Sequence, residues 1–111
     1  LGNNEGPNPA EFVLHALAAC LTLTIVNVAA ARKVELTEVS STLEGVLDAR
    51  GALGLDESFR NGFERIRVSF SVKGEAPDEK LMEVVERAKT RSVVYDIVTN
   101  GVPVDVEAEL A

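Results

Sequence analysis

From Val13 to Ala31 the chain carries no Asp, Glu, Lys or Arg, and only His15, Thr22, Thr24 and Asn27 interrupt a run of aliphatic residues with Cys20 at its centre. A run this long is near the length of a membrane span. Its Ala content, its four polar interruptions and the lack of flanking aromatics argue against one. It is not a signal peptide either, because the residues ahead of it include Glu5 and no base. A helix that is apolar all round in a soluble chain is a central helix, covered by other elements. Here the rest of the chain is short, so part of the cover is expected from a partner subunit.

At 111 residues the chain is long enough for one core and too short for two. With 46% apolar residues, 5% aromatics and no Trp, that core must be aliphatic. Eighteen acids against eleven bases give a net charge of −7. This excludes nucleic acid and anionic membrane as partners, since both bind through neutralisation of phosphates by cations. A single cysteine closes no internal disulfide, which points to the reducing cytoplasm.

Gly2 to Pro9 reads as a turn-rich lead-in. Asn8-Pro9 supplies an N-cap with proline at the first helical position, and Glu11 falls in the first turn. The helix is predicted to run to about Lys33. Val34 to Asp48 is predicted as a strand and Ala49 to Gly62 as a long loop. Ile66, Val68, Phe70 and Val72 alternate with polar residues in a second strand. Pro77-Asp78-Glu79 opens a second helix with Leu81, Val84, Val85 and Ala88 at helical spacing. Ser92 to Thr99 either extends that helix or starts a loop, Asn100-Gly101 breaks it, and Val102 to Ala108 is predicted as a closing edge strand. The expected order is helix, strand, strand, helix, strand: an α+β chain, with residues 1–111 as a single domain.

Cys20 is the only thiol. A reactive thiolate needs a helix N-terminus or a cation beside it. Cys20 is about a dozen residues into its own helix, beyond the reach of that helix's dipole, so the sequence leaves open an inert, packed cysteine or one activated from elsewhere in space. His15 is about 140° around the helix from Cys20 and is expected to pair with Glu11 at i, i+4 instead. One Cys and one His supply too few ligands for a zinc site, the acids lack EF-hand spacing, and no phosphate loop or nucleophile-elbow motif occurs. No metal or cofactor is expected. Arg60, Arg65 and Arg67 read as a solvated strand face.

The segment Asn8-Pro9-Ala10-Glu11-Phe12, leading through an Ala-rich helix to Ala18-Ala19-Cys20, resembles the helix signature of the OsmC/Ohr family (osmotically inducible and organic hydroperoxide resistance proteins). Asp48 to Gly51, Arg60 to Phe63 and Ser92 to Val104 fit the same family in the same order. The resemblance implies an intertwined homodimer with long central helices between sheets, and a chain lacking the family's N-terminal strands. It also implies candidate site residues. Cys20 matches the cysteine that attacks a hydroperoxide. The resolving cysteine, often in a Cys-Pro-Val motif, falls at Ser92, so a two-cysteine cycle is not available. The family's glutamate after proline is Ala10 here, with Glu11 one position along and about 13 Å of helical rise from Cys20. The family's activating arginine belongs to the N-terminal region and has no counterpart. Three functions follow as alternatives: one-cysteine peroxide reduction through Cys20 with an external thiol as reductant, a dimer binding a small apolar ligand near Cys20, or a structural and interaction role.

Overall fold

The computed structural model describes residues 8–110, so the lead-in before Asn8 lies outside the described residues. Helix α1 spans Pro9–Ala31. Asn8 caps it, its side chain accepting the Glu11 N–H at 2.9 Å, and Pro9 occupies a position where a missing N–H costs nothing. The helix ends two residues before the expected Lys33. Lys33 adopts φ 58, in the left-handed region, and the Val34 N–H folds back onto the Ala29 carbonyl at 2.8 Å. Arg32, just past the last turn, reaches Glu83 at 3.6 Å across a solvated gap, which contributes little to stability.

Strands β1 (Leu36–Leu47) and β2 (Phe63–Gly74) pair antiparallel in a two-stranded sheet. Ile66, Val68, Phe70 and Val72 turn inward on β2, as their alternation predicts, with Arg65, Arg67, Ser69, Ser71 and Lys73 in solvent. On β1 the alternation slips by one residue between Leu36 and Glu38, where Leu36 faces Gly74 and Glu38 faces Lys73. That bulge places Leu36 and Val39, three apart, on the same inner face.

The link between the strands is not loop throughout. Ala49–Ala52 forms a one-turn helix, α2. Asp48 caps it through the Arg50 N–H at 2.9 Å and takes the Arg50 guanidinium through both carboxylate oxygens, at 3.0 and 2.6 Å. These bonds hold the Asp48 carboxyl down at about 2. The same guanidinium stacks on the Phe59 ring, 3.8 Å from its centre.

Helix α3 (Asp78–Arg91) and helix α4 (Val93–Asn100) meet at Ser92, whose extended backbone (φ −71, ψ 125) separates them. The segment from Ser92 is therefore neither an extension of α3 nor a loop. Gly101 ends α4 with φ 74, a conformation that suits glycine. The expected closing strand is not formed: residues 102–110 have no strand beside them, and a strand exists only through the ladder it shares. The order is α1-β1-α2-β2-α3-α4, and the class is α+β as predicted.

The core lies where α1 crosses α3. Ile25 and Ala29 meet Val84 and Ala88, with Val28, Val34, Leu36, Val39, Phe70 and Val85 closing around them. The two alanines keep the helices close. Although α1 is long and apolar enough to cross a membrane by length and composition, one stripe of it, Leu17-Leu21-Ile25-Ala29, is buried in this core. The expected all-round cover is absent: Phe12, Val13, Leu23 and Val26 remain exposed.

Candidate active site

Three elements converge on Cys20. Helix α1 carries the thiol half-buried between the core residues Leu17 and Leu21. The α3–α4 junction brings Ser92 against it, at 2% exposure. Ser92 Oγ donates a hydrogen bond to Cys20 Sγ at 3.1 Å and accepts one from the Tyr95 N–H at 3.2 Å. One hydroxyl thus caps α4 and solvates the sulfur. The Val94 N–H, in the first turn of α4, also points at Sγ, at 3.5 Å. From within α1, the Thr24 hydroxyl donates to the Cys20 carbonyl at 2.6 Å.

These contacts decide the state of the thiol. Burial pushes its pKa up, because a thiolate loses water there. The Ser92 hydroxyl opposes this, then the Val94 N–H, the Thr24 hydroxyl and the Val93 N–H, and together they leave the thiol below its ordinary value. No cation contributes among the described residues. The sequence-based requirement is therefore met by the N-terminus of a different helix. Its free N–H groups and dipole favour negative charge by about 0.3–1 kcal/mol, and one pKa unit corresponds to about 1.4 kcal/mol. Neutral donors at this range are enough to offset partial burial.

The geometry joins two of the three residues nominated from the sequence. Cys20 and Ser92, 72 positions apart, are in direct contact. Glu11 is not with them. It lies exposed in the first turn of α1, beside a separate hollow lined by Leu14, His15, Ala18, Ser41 and Leu43. The expected Glu11–His15 ion pair is not formed among the described residues. Val94 escaped sequence reasoning because its contribution is a backbone N–H. A signal was present: Ser92 followed by an apolar run with Asp96 in the first turn is a helix-start pattern.

Next to the thiol, a hollow of about 360 Å³ runs between α1, β2 and α4. Leu21, Ile25, Val68, Phe70, Tyr95 and Val98 form most of its apolar wall, and Glu86 and Lys89 stand at its polar edge. Cys20 is not among its lining residues. Its Leu17–Leu21 wall and Tyr95 nevertheless adjoin the Cys20–Ser92 pair.

Ser92→Ala removes the largest of the contacts that lower the thiol pKa. The pH midpoint for iodoacetamide alkylation of Cys20 is expected to move upward, with a slower rate at pH 7. Ser92→Thr, which keeps the hydroxyl, is expected to stay near the parent. An unchanged midpoint in Ser92→Ala would mean that Ser92 does not set the thiol's charge.

A family model described as OsmC-like protein matches residues 2–107. Among solved structures, the chain is similar to the crystal structure of an OsmC-like protein from Mycoplasma pneumoniae, with a TM-score of 0.74 at 17% identity. The likeness covers 86% of this chain and 64% of that one, so the chain spans less than two thirds of that protein's length. The comparison with curated proteins gives no match.

Proposed function

This chain belongs to the OsmC-like protein family, and on that footing we propose that it reduces organic hydroperoxides through Cys20 alone. The observation that carries the reading is the placement of Sγ against the start of α4, 3.1 Å from Ser92 Oγ and 3.5 Å from the Val94 nitrogen. A thiolate is the nucleophile in peroxide chemistry, and these donors stabilise it without a cation.

In the first step the Cys20 thiolate attacks the distal oxygen of ROOH. The O–O bond breaks, ROH leaves with a proton, and the sulfur becomes a sulfenic acid. Ser92 has no thiol with which to form a disulfide, so resolution falls to an external thiol. That thiol displaces water to form a mixed disulfide, and a second equivalent releases Cys20 as the thiol. The proposed setting is the cytoplasm, where such thiols are abundant, and the proposed assembly is a homodimer that covers the exposed α1 face.

The apolar hollow supports a second reading, in which the protein binds a small apolar molecule beside Cys20 and does not turn it over. One experiment separates the two. Brief exposure to cumene hydroperoxide in the presence of dimedone is expected to add one dimedone adduct per chain at Cys20, and none in Cys20→Ser. Labelling no faster than that of free cysteine would overturn the peroxidase reading and leave the binding one.

A further inference from the structure

Residues 102–110 leave the body of the protein at Gly101 and belong to no strand, although their sequence is written as one. Val102, Val104, Val106, Ala108 and Leu110 fall on one side of an extended chain, and Pro103, Asp105, Glu107 and Glu109 on the other. Every one of these residues is exposed, Val106 at 88% and Leu110 at 96%. The tail therefore does not cover its own sheet.

That sheet has two strands, and so one open edge on each. The edges differ in charge. On its solvent side β1 presents Glu38, Ser40, Thr42 and Glu44, whereas β2 presents Arg65, Arg67, Ser69, Ser71 and Lys73. Lys73 pairs with Glu38 at 3.0 Å and Arg67 more loosely with Glu44 at 3.8 Å. Arg65 has no ion-pair partner among the described residues.

We propose that the 102–110 tail adds as a third strand to the open edge of β2 in a second copy of this chain. Val104, Val106 and Ala108 then extend the inner row of Ile66, Val68 and Phe70, and the tail acids lie on the outer face beside Arg65 and Arg67. At the edge of β1 the same acids would meet Glu38 and Glu44, and like charges on adjacent strands repel. Pro103 fits the arrangement. In a strand, alternate residues send their N–H and C=O to the same edge. The odd-numbered residues of the tail, among which Pro103 lacks an N–H, face solvent, while Val104, Val106 and Ala108 form the ladder.

The test uses two variants of the full chain and reads self-association by sedimentation equilibrium. One carries Asp105→Lys, Glu107→Lys and Glu109→Lys; the other carries Arg65→Glu and Arg67→Glu. Each alone is expected to raise the dimer dissociation constant at least tenfold, by setting like charges together. Mixed in equal amounts they are expected to restore dimers, because each tail now meets a complementary edge on the other chain. A parent chain that stays at its monomer mass of 11.9 kDa would overturn the proposal. So would a dissociation constant within twofold of the parent in both variants. Failure of the mixture, with recovery in a chain carrying all five substitutions, would also overturn it, placing the tail on its own sheet. The readout is mass, so the outcome is independent of the thiol chemistry proposed above.

Discussion

Ser92→Cys is expected to convert the one-thiol site into a disulfide-forming pair. Ser92 Oγ lies 3.1 Å from Cys20 Sγ, and a disulfide needs about 2.05 Å between sulfurs, so an adjustment of about 1 Å suffices. On exposure to one equivalent of cumene hydroperoxide, the variant is expected to lose both titratable thiols and two mass units, and dithiothreitol to restore both. The parent chain has no internal thiol to do this. The energetic balance also favours closure. Loss of the serine cap costs α4 about 1 kcal/mol, while cross-linking positions 72 apart restricts the unfolded chain by about 4 kcal/mol on the loop-entropy model. The oxidised variant is therefore expected to melt above its reduced form. Two free thiols persisting after oxidation, or a sulfinic acid on Cys20, would show that the two side chains do not share one site in solution.

The second large effect concerns the core. Ile25 is 1% exposed and sits where α1 crosses α3. Ile25→Ala is expected to cost about 2–5 kcal/mol, because the cavity adds to the lost transfer energy. For a domain whose whole stability is about 5–15 kcal/mol, that is a large share, visible as a lower midpoint in urea. Leu23, on the same helix but 61% exposed, provides the control. Leu23→Ala is expected to change the urea midpoint of the isolated chain little. Equal losses at the two positions would mean that the buried stripe of α1 is not the one assigned here.

These two cases also mark what the sequence discloses. Local rules sufficed where the determinant was local: the Asn8-Pro9 start of α1, the alternation of β2, and the apolar spacing of α3 all appear as read. The buried stripe of α1 was not legible, because a helix apolar on every side carries no periodicity to say which side is covered. The β1 bulge at Leu36–Glu38 was likewise hidden, since it depends on pairing with β2.

The site divides in the same way. Cys20 stands out as the only sulfur nucleophile, and Ser92 emerged through family resemblance. What sets the state of the thiol comes from 72–74 positions away in sequence, as a hydroxyl and a peptide N–H. Motif spacing within α1 contains none of this. The closing strand failed for the converse reason: its pattern was correct for a strand, but a pattern does not supply a neighbour.

The double use of the Ser92 hydroxyl has one more consequence. Helix α4 has eight residues, too few to persist without help, and its first cap bond shares an oxygen with the bond to sulfur. Charge on the sulfur and order in α4 are therefore linked, and linkage is reciprocal. A thiolate steadies the helix start, and a frayed helix start makes the thiolate harder to form. Chemistry at a single atom thus has a mechanical readout in the last helix of the fold. Conversely, whatever grips or loosens α4 from outside adjusts the nucleophile without touching it.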